Sequence, residues 1–114
     1  MAEDCVFCKI AAGEIPAEKV FEDEKVVAFR DINPTAPTHV LIIPREHIPT
    51  FNDLGPEHAE ILSHIFAAAK AVAEKEGLTS GYRLVGNCLE GAGQQVFHIH
   101  LHLIGGRPLG WPPG

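Results

Sequence analysis

The sequence has little of several features that mark common classes of protein. Its three cysteines are an odd number, which does not suit a disulfide framework. Nine Lys and Arg residues face fifteen Asp and Glu residues, and the net charge of −6 argues against a nucleic acid polymer as partner. No apolar run approaches the roughly 20 residues of a membrane span. The start, Met-Ala-Glu-Asp-Cys, lacks the basic and apolar regions of a signal peptide. We therefore expect a cytoplasmic protein without a membrane partner.

Length and composition are those of one ordinary globular domain. Hydrophobic residues make up 46% of the 114 residues and charged residues 21%, which suits a single core. We treat residues 1–114 as one domain. The local patterns predict a short helix ending near residues 9–13, a hairpin of 20–22 with 26–29, a proline-containing loop at 31–37, a central strand at 39–43, a long amphipathic helix starting at Pro56 and capped by Gly77, and a strand at 82–87.

Residues 96–104 read Val-Phe-His-Ile-His-Leu-His-Leu-Ile, and this stretch dominates the chemistry of the chain. In a β-strand, alternate side chains share a face, so we predict His98, His100 and His102 on one face. The alternating residues from Phe97 to Leu103 would pack into a core. Three aligned imidazoles are difficult to explain structurally, because each titrates near neutral pH and repels its neighbours when charged. This face is therefore predicted to be chemically active.

Further histidines lie elsewhere in the chain. His39 starts the predicted central strand and is in a position to approach the three histidines from a neighbouring strand. His58 and His64 fall on the long helix, where we expect them to be solvated and without a role.

The three histidines have two chemical interpretations. A metal site uses imidazole ligands, but the outer two residues of a five-residue strand stretch lie about 13 Å apart, too far to share one ion comfortably. In the alternative, a neutral His100 attacks phosphorus and forms a covalent phosphoramidate. His98 and His102 would then orient groups and move protons. A cradle of donors from Asn87, Gly93 and Gln94 would stabilise the phosphoryl oxygens, since glycines let loop N–H groups point at an anion.

Cys5 and Cys8 form a Cys-x-x-Cys pair with three interpretations. A redox couple needs a preceding strand, and nothing before Cys5 supplies one. Half of a zinc site needs two further ligands, for which His47 and His98 are candidates that spacing alone does not select. Two ordinary cysteines in a short helix are the third. Cys88 is expected to be a small core residue.

Two other side chains have open roles. Asp31, at the mouth of the proline-containing loop, either accepts from a sugar diol or stabilises the turn, and the turn is the simpler role. Trp111 lies between prolines and glycines near the end of the sequence and is expected to contact a partner or cover a pocket.

The pattern His-φ-His-φ-His-φ-φ at residues 98–104 resembles the signature of the histidine triad (HIT) nucleotide-binding proteins. The resemblance extends over nearly the whole chain, and the ending is similar to that of the Hint branch, which contains nucleoside phosphoramidases, rather than the Fhit branch of dinucleoside polyphosphate hydrolases. The motifs that carry it are Phe29-x-Asp31-Ile32, Pro37-Thr38-His39, Ile43-Pro44, Gly81-Tyr82-Arg83, Asn87, Gly93-Gln94, Gly105-Gly106-Arg107 and Trp111-Pro112-Pro113-Gly114.

The resemblance implies an α+β fold with an antiparallel sheet of about five strands, one long helix and a short N-terminal helix. It also implies a homodimer in which the sheet continues across a two-fold axis, and a purine nucleoside monophosphate in a cleft. His100 would be the nucleophile, and His39 would lie near the triad. The remaining implied contacts are Asp31 and Ile32 at the ribose, Phe7 and Ile15 at the base, and Asn87, Gly93, Gln94, His98 and His102 at the α-phosphate. Trp111 would lie close to the partner's active site.

Two features depart from many Hint proteins. Gln95 stands where Ser is common, which changes the hydrogen bond available to the phosphate or leaving group. Cys5 and Cys8 are similar to a pair in bacterial members, in which a structural zinc takes its other ligands from positions matching His47 and His98. A zinc-bound His98 would not also donate freely in the active site.

These observations predict a phosphoramidase that cleaves the P–N bond of adenosine or guanosine 5′-phosphoramidates, of the AMP-amine or AMP-lysine type. Catalysis would proceed through nucleotidyl-His100, with no cofactor required and with a structural zinc. The alternatives are a nucleotide-binding regulatory module with incidental hydrolysis, a dinucleoside polyphosphate hydrolase of the same family, and a metalloenzyme.

Overall fold

A computed structural model describes residues 4–114 of the chain. One five-stranded antiparallel sheet forms the centre, with the strand order β1-β2-β3-β5-β4. The elements are α1 (Val6–Ala11), β1 (Lys19–Glu22), β2 (Val26–Arg30), β3 (Thr38–Pro44), α2 (Ala59–Lys75), β4 (Tyr82–Val85) and β5 (Leu101–Gly105). The predicted α+β fold, with one long helix and a short N-terminal helix, is confirmed.

Strand β3 lies in the middle of the sheet, as its apolar pattern predicts. All seven of its residues are buried, because helices cover both faces of the sheet. On one face, Val40 and Ile42 pack with Leu103 of β5 and with Ile65 and Val72 of α2. The stripe of apolar residues along α2 therefore has the sheet as its partner, as helical spacing requires.

The second face of the sheet is covered by α1. Phe7 and Ile10 of α1 pack on Phe29, Leu41 and Ile43 of the sheet. Cys5 caps the helix, since its sulfur accepts a hydrogen bond from the backbone N–H of Cys8 at 3.3 Å. The ring contact of Phe7 with His100 places the helix beside the start of β5. None of the helices within residues 4–114 is both long and apolar enough to span a bilayer.

Two expectations for the long helix need correction. His58 is buried rather than solvated, because its Nδ1 accepts a hydrogen bond from the N–H of Gly55 in the 3-10 turn that precedes α2. His64 is only partly exposed, and its Nδ1 lies 2.8 Å from the carboxylate of Asp23 on the β1–β2 turn. Both histidines thus hold structure together.

The prediction of one strand over residues 96–104 is also wrong in part. Regular pairing begins only at Leu101. Upstream, the N–H of Ile99 bonds to the carbonyl oxygen of Ile48 at 2.7 Å, outside the sheet ladder. Phe97 is 41% exposed and does not join the core, whereas Ile99, Leu101 and Leu103 do. His98 and His100 therefore precede the strand, and only His102 belongs to it.

Candidate active site

His100 is buried at the start of β5, and its backbone surroundings fix its tautomer. Its Nδ1 lies 2.9 Å from the carbonyl oxygen of His98, so Nδ1 carries the proton and donates it. The lone pair therefore resides on Nε2. The ring of Phe7 packs edge-on against the imidazole, with centroids 5.1 Å apart. A rigid imidazole with an unprotonated Nε2 is the form required for nucleophilic attack.

His102 and His39 form a second ordered pair beside it. The N–H of Thr35 donates to Nδ1 of His39 at 3.1 Å, which leaves the proton of that ring on Nε2. This Nε2 donates to Nδ1 of His102 at 2.9 Å. By the same logic, His102 carries its proton on Nε2. The rings of His100 and His102 are 5.1 Å apart, so an acceptor-bearing and a donor-bearing imidazole lie side by side.

Burial favours the neutral form of His98, His100 and His102. Burial lowers the pKa of His98 and of His100 below the ordinary histidine value. Burial, together with the neighbouring His100 and His39, lowers the pKa of His102 to about 4. Near neutral pH, His100 therefore offers a lone pair rather than a charge.

His98 faces away from this pair. Its Nε2 donates to the carbonyl oxygen of Pro44 at 2.8 Å, and its Nδ1 lies 3.3 Å from the sulfur of Cys5 and 3.5 Å from that of Cys8. Both ring nitrogens are thus engaged away from His100 and His102. His98 reaches the site through its backbone carbonyl, which orients His100.

Cys5, Cys8, His47 and His98 converge on one point. Their ligand atoms all lie within 4.8 Å of one another, and the sulfur of Cys8 is 3.3 Å from Nδ1 of His47. Two thiolates and two imidazoles are a donor set that tetrahedral zinc prefers. The bond from His98 Nε2 to the carbonyl of Pro44 also fixes the tautomer whose Nδ1 can ligate a metal, as a carbonyl acceptor commonly does for a metal-binding histidine. The residues fit a zinc ion.

The residues predicted to contact the nucleoside differ in their burial and in their hydrogen bonds. Asp31 accepts from the N–H of Asn33 at 2.8 Å with one oxygen, so the turn-stabilising role is present. Its other oxygen lies 3.4 Å from Nε2 of His39. Ile32 is 91% exposed beside it. Phe7 is buried against the rings of His98 and His100, and Ile15 is half-buried in the same apolar cluster.

The loop before the triad is built around Gln94. The N–H groups of Gly93 and Gln94 bond to the carbonyls of Glu90 and Leu89, inside the loop itself. Within residues 4–114 the N–H of Gln95 has no acceptor. A Cβ on Gly93 would lie 3.9 Å from Nδ2 of Asn87, so that amide side chain lies over the loop. Of the predicted amide donors, Gln95 N–H and Asn87 Nδ2 remain available for an anion.

Trp111 is 83% exposed within this chain, consistent with the expectation that it is not core. The segment that carries it is tied back by Arg83, whose guanidinium donates to the carbonyl of Gly110.

Sequence reasoning missed the backbone groups that set the imidazoles. The N–H of Thr35 and the carbonyls of Pro44 and His98 act through main-chain atoms, so residue type gives no signal for them. Only the arrangement of the loops around β3 and β5 brings them to the rings.

Comparison with known proteins agrees with this geometry. The HIT domain family matches residues 12–109. The chain is 52% identical over 111 residues to the purine nucleoside phosphoramidase of Escherichia coli, covering 96% of this chain and 93% of that protein. It is 51% identical over 111 residues to a 14 kDa zinc-binding protein of Zea mays, covering 96% and 87%.

A solved structure is similar over nearly the full length. The HIT family hydrolase from Legionella pneumophila superimposes with a TM-score of 0.95 at 59% identity, covering 97% of this chain and 100% of that chain. The arrangement of the histidines and these relatives together show that this chain is a hydrolase that belongs to the HIT family.

Proposed function

We propose that this protein hydrolyses the P–N bond of purine nucleoside 5′-phosphoramidates, of the AMP-amine or AMP-lysine type, through a nucleotidyl-His100 intermediate. The observation that carries the proposal is the hydrogen bond from His100 Nδ1 to the carbonyl of His98, which leaves Nε2 as a buried, neutral nucleophile. The 52% identical relative that is named a purine nucleoside phosphoramidase supports the substrate class.

In the first step, His100 Nε2 attacks phosphorus while the bond to the leaving nitrogen breaks. The imidazole keeps its Nδ1 proton, and the His98 carbonyl stabilises the positive charge that develops on the ring. The leaving nitrogen needs a proton to depart as a neutral amine. We assign this proton to the imidazolium form of His102, which takes up one proton together with the bound phosphoryl anion. The neutral ring remains after its Nε2 proton has passed to the leaving nitrogen.

In the second step, water attacks the phosphoryl group on His100. One proton of the water passes to the neutral His102, and the hydroxyl oxygen of the water bonds to phosphorus. His100 then leaves as the neutral imidazole with which the cycle began. The products are an amine and a nucleoside monophosphate. No metal takes part in either step as we propose them.

The nucleotide would occupy the cleft beside these histidines. We assign Asp31 and Ile32 to the ribose, and Phe7 and Ile15 to the base side. We assign the loop of Gly93, Gln94 and Gln95 to the α-phosphate, with Gln95 N–H, Asn87 Nδ2 and His102 as the groups that contact it. The free N–H of Gln95 supports this, since its backbone donor does not depend on the side chain that replaces Ser.

We further propose a homodimer in which β4 pairs with its copy. The strand order leaves β4 at an edge, and an edge strand is a template for pairing. Tyr82 on this strand and Phe66 on α2 are 41% and 55% exposed. In such a dimer Trp111 would lie near the partner's active site and influence the leaving group accepted. Sedimentation velocity tests the dimer, and a monomer at micromolar concentration would contradict it.

The zinc site is proposed as structural. Cys5, Cys8, His47 and His98 would hold one ion, as their convergence and the zinc-binding relative support. The ion would fix the ring of His98, and with it the carbonyl that orients His100.

The decisive experiment is mass spectrometry of protein quenched rapidly after mixing with an adenosine 5′-phosphoramidate. We expect a transient adduct of one adenylyl group on His100, which disappears in the His100→Ala variant while AMP still binds. His58→Gln serves as the matched control, because His58 is also a buried histidine but lies beside Gly55, and it should retain the adduct.

Three results would contradict the proposal in different ways. His100→Ala retaining most of kcat would remove His100 as the nucleophile. AMP binding without adduct or product would indicate a regulatory binding module. Product formation that depends on added metal and leaves no adduct on His100 would indicate a metalloenzyme.

A further inference from the structure

The loop from Leu89 to Gln94 contains a backbone conformation that the active site described so far does not explain. Leu89 has φ of 73° and ψ of 166°, and it is the one non-glycine residue with positive φ in the described part of the chain. This region of conformational space is essentially restricted to glycine, so a leucine there is strained and must be held by its surroundings.

The side chain of Gln94 is the group that holds it. Gln94 is 3% exposed, and its Oε1 accepts the N–H of Leu89 at 2.8 Å. The N–H of Gln94 in turn bonds to the carbonyl of Leu89 at 3.1 Å. These two bonds close the loop on itself, and both are made while Leu89 holds its positive φ.

The other end of the Gln94 amide anchors the closed loop to the body of the protein. Its Nε2 donates to the carbonyl of Pro49 at 2.8 Å and to that of Val96 at 3.0 Å. Both N–H groups of the amide and one oxygen lone pair are therefore used within the protein. The side chain has no N–H left to offer to a phosphate.

We propose that Gln94 is a positioning residue for the phosphate. It holds Leu89 in its strained conformation and thereby fixes the loop whose Gly93 lies under Asn87 and whose next residue, Gln95, presents a free N–H. This inference rests on the proposed function, since it takes the loop to be the phosphate site. It replaces direct contact by the Gln94 side chain with an indirect role.

The test compares the affinities for AMP and adenosine, which differ only in the phosphate. Gln94→Met keeps the shape of the side chain but loses all three hydrogen bonds. We expect its Kd for AMP to rise about tenfold or more, as for the loss of a buried hydrogen-bond network, with the Kd for adenosine within about twofold. Calorimetric titration of each ligand into each variant gives both values.

Second-site changes at Leu89 separate strain from other effects. In the Gln94→Met background, Leu89→Gly removes the penalty for positive φ and should recover about threefold or more of the AMP affinity. Leu89→Ala also removes the leucine side chain but keeps the Cβ, so it should recover none. Recovery by glycine alone would show that Gln94 acts through the conformation of Leu89.

A measurement on the unmodified protein covers the case in which Gln94→Met does not fold. Amide hydrogen exchange should show a slow N–H at Leu89, because its partner is a buried oxygen. An N–H at Leu89 that exchanges as fast as exposed loop amides overturns the inference. So does an equal loss of AMP and adenosine affinity, or recovery by alanine as large as by glycine. If the unmodified protein binds no AMP, the proposed function fails and this inference fails with it.

Discussion

At the scale of single residues, the imidazoles are distinguished by the backbone group that each one meets. His100 donates to a carbonyl and keeps its Nε2 lone pair, whereas His39 accepts from an N–H and keeps its Nε2 proton. The same side chain thus presents a lone pair in one place and an N–H donor in another. Period-two spacing in the sequence predicts that His100 and His102 are neighbours, which their rings 5.1 Å apart are. It contains no information on these tautomers.

The same spacing wrongly predicted that His98 shares a strand face with His100 and His102, and the reason is physical. The prediction assumes regular pairing from residue 96 onward, but the N–H of Ile99 bonds to Ile48 rather than to a strand. The chain therefore turns before β5, and His98 points at Cys5 and Cys8. A pattern of residue types specifies alternation along a strand but does not specify where the strand begins.

At the scale of single residues, we predict the effect on kcat of replacing His39. In His39→Leu, Nδ1 of His102 loses its donor, so its Nε2 proton is no longer held in place. We expect kcat for a phosphoramidate to fall roughly 10- to 100-fold, at or below the lower end of general acid–base contributions, with a smaller change in KM. Steady-state kinetics measures both. His58→Gln should leave kcat near its original value, and a His39→Leu variant with unchanged kcat would show that His102 needs no orientation.

At the scale of elements, periodicity predicted most of the secondary structure. The hairpin of β1 with β2, the buried central strand β3 and the helix α2 all agree with their sequence patterns. What the patterns omit is how the elements are tied together. Arg30 at the end of β2 forms two 2.9 Å bonds to Glu76 after α2, and Asp23 on the β1–β2 turn meets His64 of α2. Such pairs join positions that are distant in the sequence. The position of His64 on the helix therefore predicted only a solvated side chain.

The Asp23–His64 pair predicts a pH dependence of stability. The hydrogen bond to Asp23 raises the pKa of His64, and the charges of Asp23, Glu24 and Glu60 act in the same direction. For Asp23, burial opposes ionisation, but the bonds from His64, Lys25 N–H and Val26 N–H outweigh it and lower the pKa. Because the folded pKa of His64 is raised, its stabilising contribution is complete below the ordinary value of 6.5. It is lost as the pH rises through the folded pKa.

Urea unfolding of the unmodified protein and of His64→Gln measures this contribution. The difference in unfolding free energy between the two should be largest near pH 5.5 and shrink toward pH 8.5. Asp23→Asn, which keeps an oxygen for the turn N–H groups, should abolish the same pH dependence. A difference that stays constant across this range would mean that His64 is not charged in the folded protein.

At the scale of the whole molecule, the metal-ligand cluster joins three separate parts of the chain. Cys5 and Cys8 belong to the start of α1, His47 follows β3, and His98 precedes β5. Spacing identified the cysteine pair but not its partners, because ligands 39 and 90 residues away from Cys8 leave no local pattern. The resemblance to bacterial family members supplied them, and the fold brings their ligand atoms together.

This arrangement predicts that bound zinc stabilises the whole fold. We expect about one zinc ion per chain in protein prepared with zinc, and removal by a chelator should lower the Tm. If the ion contributes about 2 kcal/mol or more, the decrease is roughly 10 °C or more for a domain of this size. Cobalt substitution should give the visible absorption of a tetrahedral thiolate site.

Two cysteine variants separate the metal from thiol chemistry in general. Cys8→Ser removes a ligand and should lower both the zinc content and the Tm. Cys88→Ser changes a half-buried thiol outside the cluster and should alter neither by a comparable amount. Because His98 also orients His100 through its carbonyl, the zinc-depleted protein should lose kcat before it unfolds. Protein that contains no zinc and melts at the same temperature with and without chelator would show that the four residues hold the fold together without an ion.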